Sequence, residues 1–260
     1  MTRHETFTTD AIASKDLVLA TDLDGTFLGG SEQERAQFYK WIENNRDRVG
    51  LIFVTGRDSG FITELTKKQG VPKPDFVIGD VGTTIAHVGD DHFLAPIEEL
   101  EAEIAEAWNG ANIRVQAALK GIKGLQLQST GFRYRASFDL DPAEFDNSAF
   151  DIVANLGLDA LMSDNRFFDV LPKGVSKGPS LLRLLSHLGV DNRRTLVAGD
   201  TMNDLSMLEM GLPAVAVGGS EPELVEKLTG QKHVHLATGV GVAGIAEAIL
   251  EFGMFASKEQ

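Results

Sequence analysis

Residues 17–30 read LVLATDLDGTFLGG. The apolar run that begins at Leu17 is short and lacks polar alternation, which is the pattern of a strand buried on both faces of a parallel sheet. It ends abruptly in Asp22-Leu23-Asp24-Gly25-Thr26, so two acids stand at the carboxyl end of that strand. In open α/β sheets this is the end that faces the ligand crevice.

Working outward, comparable runs recur as LIFVTG (51–56), FVIGD (76–80), FFDVL (167–171), TLVAGD (195–200), AVAVG (214–218) and HVHLA (233–237). Amphipathic stretches at 32–46, 58–69, 177–188, 203–210, 221–229 and 242–251 alternate with them and predict helices. The expected fold class is α/β, a Rossmann-like parallel sheet core with helices on both faces. Between residues 84 and 166 the alternation breaks into an acidic helix (97–108), the stretches IRVQAAL and GLQLQST, a polar-apolar strand FRYRASFDL (132–140), a second helix and LDALMSD. The expected organisation is therefore a loose leader at 1–15, a discontinuous core of 16–83 plus 167–260, and an inserted α+β cap at 84–166.

Composition limits the function. The 260 residues carry 24 Lys plus Arg against 38 Asp plus Glu, a formal charge of −14, which argues against nucleic acid or an anionic membrane as partner. There is no cysteine, so thiolate metal sites, cysteine nucleophiles and disulfides are excluded, as suits a reducing cytoplasm. The first fifteen residues hold no signal-like apolar core.

Four clusters carry chemistry. On an extended backbone Asp22 and Asp24 would point the same way, and such a pair can divide labour between nucleophile with metal ligand and proton donor. Thr55-Gly56-Arg57 ends the second strand and suits an anion, through a hydroxyl, free N–H groups and a guanidinium fork. Lys177, at a helix entrance, would keep a nearby aspartate ionised and neutralise a phosphoryl group; Lys173 is the weaker candidate. In Gly199-Asp200-Thr201-Met202-Asn203-Asp204, the two acids are four apart, a spacing that one helical face would bring together, and Asn203 adds a neutral donor and acceptor. Oxygen-only ligands of this kind suit Mg2+. A solvated loop or a helix cap would explain any one cluster; four in sequence, each at or just beyond a strand end, are harder to explain so.

The motifs DLDGT (22–26), VTGR (54–57), SKG (176–178) and GDTMND (199–204) resemble those of the haloacid dehalogenase superfamily of phosphohydrolases. An insertion between the second and third motifs is similar to the subclass with a large α/β cap. DLDGTFLG, VTGRDSG, VGTTI, FRYRASFDLD, DVLPKGVSKG and GDTMNDL together most resemble the sucrose-phosphate phosphatases and the bacterial mannosylfructose-phosphate phosphatases.

That resemblance implies a magnesium-dependent phosphatase for a sugar phosphate, with a disaccharide phosphate such as sucrose 6-phosphate or mannosylfructose phosphate as the expected substrate. It makes Asp22 the nucleophile that becomes an aspartyl phosphate and Asp24 the general acid and base, with its backbone carbonyl also on the metal. Thr55, Gly56, Arg57, Lys177 and Asn203 would bind phosphate or substrate, Asp22 and Asp200 would ligate Mg2+, Asn203 would also support the metal, and Asp204 would support the metal or Lys177. Arg135, with Arg133, Tyr134, Gln126 and Gln128, would read the sugar from the cap, and Gly82-Thr83 would approach the leaving group. The expected partner is a small sugar phosphate, met by a cytoplasmic monomer or small homo-oligomer. Rival expectations are a mannosyl-3-phosphoglycerate or hexose phosphatase, a phosphomutase, a phosphorylated receiver, or a non-catalytic sugar-binding subunit; the length and inserted module do not fit a receiver.

Overall fold

The computed structural model describes residues 10–255. Twelve strands form two sheets among these residues: β1 (Leu17–Thr21), β2 (Val49–Val54), β3 (Phe76–Gly79), β4 (Thr84–Val88), β5 (Leu94–Pro96), β6 (Leu125–Leu127), β7 (Ala136–Leu140), β8 (Leu158–Ser163), β9 (Phe167–Pro172), β10 (Thr195–Gly199), β11 (Ala214–Gly218) and β12 (Val234–Val240). The large sheet has the order β12-β11-β10-β1-β2-β3-β4-β5, parallel from β12 to β3 and antiparallel thereafter. The four-stranded sheet has the order β6-β7-β9-β8 and is antiparallel throughout.

The helices are α1 (Asp10–Ala13), α2 (Glu32–Asn44), α3 (Ser59–Lys67), α4 (Glu98–Trp108), α5 (Asn112–Ala118), α6 (Ser148–Asn155), α7 (Lys177–Leu188), α8 (Leu205–Leu208), α9 (Pro222–Leu228) and α10 (Val242–Glu251). Alternate residues of each central strand feed opposite faces of the large sheet. Val18, Ala20, Ile52, Val54 and Val197 pack on one side with Leu181, Leu184, Met207 and Leu224 of α7, α8 and α9. Leu17, Leu19, Leu51, Phe53 and Leu196 pack on the other with Phe38, Ile62 and Ile245 of α2, α3 and α10. Coverage of both faces is why β1, β2 and β10 are buried along their whole length and read as unbroken apolar runs.

Sheet membership moves the expected limits of the insertion. Residues 84–88 and 94–96 pair into the large sheet through β3, whereas 167–172 pair into the small one. FFDVL is thus a buried strand, as expected, but of the smaller sheet: a short apolar run does not say which sheet it joins. IRVQAAL is helical, as α5, and the small sheet draws its strands from residues 125–172. A separate core gathers Trp108, Val115, Phe138, Val153 and Phe168 on one face of the small sheet.

Residues 1–9 of the expected leader lie outside the described residues. The rest of it is not loose: Ile12 is buried against the large sheet, and Arg194 donates to the carbonyls of Ala13 and Lys15, both at 2.7 Å. Among the described residues no helix is long and apolar enough to cross a membrane.

Phe168 is fully buried and packs edge-on or tilted against Phe138, Phe145 and Phe150. Phe168→Ala is expected to cost about 3–5 kcal/mol in a urea titration. Hydrogen exchange should quicken in α5 and α6 but not in β1 and β10; quickening confined to the large sheet would contradict the strand's place.

Candidate active site

The motifs converge at the carboxyl ends of β1, β2 and β10 and at the start of α7. Lys177 is wholly buried, and its Nζ donates to Asp22 Oδ1 at 2.7 Å, Asn203 Oδ1 at 2.6 Å and Asp204 Oδ1 at 2.6 Å. Gly178 makes that reach possible. A Cβ there would lie 1.9 Å from the carbonyl oxygen of Ser206, so only glycine lets α7 press against the backbone that follows Asp204.

Asp200 and Asp204 do meet, by a different route from the helical face expected. The segment Met202–Asp204 is a single 3-10 turn, and Asp204 folds back so that Oδ2 accepts the N–H groups of Asp200 and Thr201 at 2.9 and 3.0 Å. Asp200 Oδ1 accepts from the hydroxyl of Thr26 at 2.8 Å. Gly25, at φ +79°, turns the chain there, and a Cβ on it would fall 2.1 Å from Asp200 Oδ2. Asp22, Asp200 and Asp204 thereby bring one carboxylate oxygen each within 4.8 Å of one another.

The electrostatics follow from crowding. Burial, reinforced by Asp204 and Asp200, raises the Asp22 pKa well above the carboxylate range, and Lys177 only partly offsets this. Burial and Asp204 push Asp200 up to about 7. Burial works against the Lys177 ammonium, but Asp204 and Asp22 outweigh it and raise its pKa. Three carboxylates facing one ammonium leave a negative excess in a site that favours a further cation. The all-oxygen donor set suits a hard divalent ion, with Asp22 and Asp200 placed to hold it.

Asp24 behaves differently from Asp22. Its side chain is about half exposed and takes a two-pronged contact from Arg57, with Nε to Oδ2 at 2.7 Å and Nη2 to Oδ1 at 2.9 Å. The two carboxylates therefore do not point together, and the Asp24 carboxylate stands apart from the group of three acids. Thr55 is buried, and its hydroxyl oxygen accepts the Arg57 N–H at 3.1 Å, which leaves the hydroxyl hydrogen for donation. Thr83 is buried beside them, its hydroxyl on the carbonyl of Asp80, while Lys173 is exposed and joins none of these contacts.

Among the cap residues expected to read the sugar, Arg135 is closely held by its neighbours. It is 5% exposed, donates to the carbonyl of Gly56 at 3.0 Å and pairs with Asp169 at 3.3 Å and Asp80 at 3.5 Å. Arg133 grips Glu101 with two nitrogens at 2.9 and 3.0 Å. Gln126 is exposed on β6 opposite Asp139, and Gln128 donates to that Asp139 at 2.9 Å. Three contributors were not singled out from sequence: Thr26, Asp169 and Glu221. Thr26 sat inside the quoted DLDGT motif, whereas nothing in the spacing of Asp169 or Glu221 marks either.

Residues 15–253 match the family model described as sucrose-6F-phosphate phosphohydrolase. The chain belongs to that family. It thus falls within a family of phosphatases on a haloacid dehalogenase fold. It is 40% identical over 91% of its length to a glucosylglycerol-phosphate synthase of Pseudomonas anguilliseptica, of which it spans only 31%. It is 28% identical over 91% of its length to the mannosylfructose-phosphate phosphatase of Agrobacterium fabrum, of which it covers 97%. Among solved structures, the sucrose-phosphatase of Synechocystis sp. PCC6803, in complex with sucrose and phosphate, superposes with a TM-score of 0.83 at 26% identity, over 92% of this chain and 98% of that one.

Because the Asp200 carboxyl must lose its proton to bind a cation, and its pKa stands at about 7, cation binding should release a proton below neutrality. In the metal-free protein the raised carboxylates favour folding most below about pH 4, and that advantage is lost as pH rises through 7. Differential scanning fluorimetry should therefore show a larger magnesium-induced rise in Tm at pH 8 than at pH 6; the reverse order would exclude Asp200 as a ligand.

Proposed function

We propose that this protein is a magnesium-dependent phosphomonoester hydrolase acting on a sugar phosphate through an aspartyl-phosphate intermediate. The observation that carries this is the placement of Asp22, whose Oδ1 is held by a buried ammonium shared with Asp204, within reach of Asp200. Lys177 fixes the orientation of the Asp22 carboxylate and leaves Oδ2 as the oxygen to attack phosphorus in line. Magnesium, held by Asp22, Asp200 and the backbone carbonyl of Asp24, would screen the repulsion between carboxylate and phosphate.

The P–O bond to the sugar breaks as the Asp22–phosphorus bond forms, and Asp24 delivers a proton to the departing sugar oxygen. Asp24, now a carboxylate, takes a proton from water, which cleaves the acyl phosphate; inorganic phosphate leaves and Asp22 is restored. Thr55, the Gly56 N–H, Arg57, Lys177 and Asn203 neutralise the equatorial oxygens. The inserted module, standing over this centre, selects the alcohol part of the ester.

The names of the relatives support a glycosidic substrate, either a disaccharide phosphate such as sucrose 6-phosphate or mannosylfructose phosphate. A second reading, glucosylglycerol phosphate, is favoured by the 40% identity to the Pseudomonas synthase. The setting this reading assumes is a cytoplasmic monomer or small homo-oligomer.

Asp22→Asn should lower kcat roughly a thousandfold or more with an unchanged circular dichroism spectrum. A variant with wild-type turnover would remove Asp22 as nucleophile. Phosphate release with magnesium across sucrose 6-phosphate, mannosylfructose phosphate, glucosylglycerol phosphate and glucose 6-phosphate should favour one of the first three by kcat/KM; preference for the hexose ester would reject a glycosidic substrate.

A further inference from the structure

Several contacts join the inserted module to the core, and two of them end on a loop of the site. One is Arg135, already described, on the carbonyl of Gly56. The other is made by Glu221, which lies on the core just before α9 and 21 residues beyond Asp200. Its Oε1 accepts the backbone N–H of Asp164 at 3.1 Å, and its Oε2 accepts the backbone N–H of Met202 at 2.7 Å. Its own N–H donates to the carbonyl of Asp200 at 2.9 Å.

Asp164 and Asn165, both with positive φ (53° and 47°), open the three-residue loop of the β8–β9 hairpin, which the Arg166 N–H closes on the Ser163 carbonyl at 3.1 Å. Asp164 lies beyond the last ladder pair, and its N–H bonds to Glu221. One carboxylate therefore spans two backbones, one on the cap and one in the loop that carries Asp200, Asn203 and Asp204. A carboxylate accepting backbone N–H groups makes charge-assisted bonds, which are stronger and more direction-bound than neutral ones. Either backbone alone could be satisfied by water; joining them ties their positions together.

We propose that Glu221 is a positioning residue that couples closure of the inserted module to the geometry of the Asp200–Asp204 loop. The proposal rests on that loop being part of the catalytic centre. A carboxylate bound to the loop only would brace it whatever the cap did. Bound to both, it sets the loop in its working arrangement when the hairpin is down, so that a substrate large enough to hold the cap closed is processed with a better-ordered centre. A small ester that makes no use of the cap gains nothing from it.

The test uses Glu221→Ala in the full chain. Hydrogen exchange of the metal-free protein reads the tie without any turnover: peptides holding Asp164 and Met202 should both exchange roughly tenfold faster than in the wild type, as expected for loss of a charged hydrogen-bond partner. Faster exchange at Met202 alone would show a brace for the loop and overturn the coupling. Kinetics supply the second readout, with magnesium and two esters: p-nitrophenyl phosphate, and whichever of sucrose 6-phosphate and glucosylglycerol phosphate the wild type hydrolyses faster.

The ratio of kcat/KM for the glycosyl ester to that for the aryl ester should fall roughly tenfold in Glu221→Ala, one lost interaction of about 1.4 kcal/mol felt by one substrate only. An unchanged ratio, with both values lowered equally or neither lowered, would overturn the proposal. Glu221→Gln, which retains one acceptor oxygen, should fall between the two proteins. Wild-type protein inert toward every ester would overturn the catalytic assignment as well as the coupling, whereas an active wild type with an unaltered ratio in the variant would overturn the coupling alone.

Discussion

A buried ammonium, that of Lys177, organises the meeting of the two ends of the chain. Removing an unpaired Lys side chain from water would cost several kcal/mol, or would strip its proton. Lys177 keeps its charge because Asp22, Asp204 and the Asn203 carbonyl surround it. Those three groups come from positions 155, 27 and 26 residues away in the chain, so the ion cluster cannot form until β1, β10 and α7 are in register. The demand runs the other way too. Asp204 is wholly buried and bonds Lys177 with one oxygen while the other closes the turn after β10, so the loop that carries Asp200 is shaped by the same carboxylate that neutralises the lysine.

Because that cluster is a matter of residue type at strand ends, much of it was legible in sequence. An unbroken apolar run ending in an acid is a strand whose last side chain must face something polar, and Asp22 and Asp200 both occur in that setting. Lys177 could be preferred to Lys173 because it opens a helix, and the structure shows one buried and the other exposed. The route by which Asp200 approaches Asp204 was not legible. Four-residue spacing suggests a helical face, but an aspartate can also fold back on preceding N–H groups, and the local sequence does not separate the two.

The insertion was less legible for a physical reason. Its antiparallel strands have one face on α5 and α6 and the other turned to the core, and the second face carries Arg135, Ser137 and Asp169 under cover. On a solvated sheet these would be ordinary polar positions. Here they are buried because a second body lies over them, and Arg135 then answers to Asp169, Asp80 and the Gly56 carbonyl. Alternation shows which residues share a face, not what covers it. The same gap explains why β9 was assigned to the larger sheet: its buried residues look alike in either.

Two aspartates separated by one residue end in opposite circumstances, and the backbone between them accounts for it. Asp22 leaves β1 in an extended conformation and stays under the sheet edge, bonded to Lys177. Leu23 then departs from the extended conformation before Asp24 resumes it at φ −72° and ψ 125°, so the alternation of a strand is broken between the two acids and the Asp24 carboxylate meets solvent and Arg57. One carboxylate is thus buried, bonded to Lys177 and crowded by other acids, while the other is half-exposed and partnered by a half-exposed guanidinium. An attacking oxygen benefits from fixed orientation and from a site that attracts a cation. A group that must give up a proton and later take one needs access to water and freedom to change partners. The division of roles proposed for them would therefore lie in the surroundings that this break in the strand creates, since the two side chains are chemically identical.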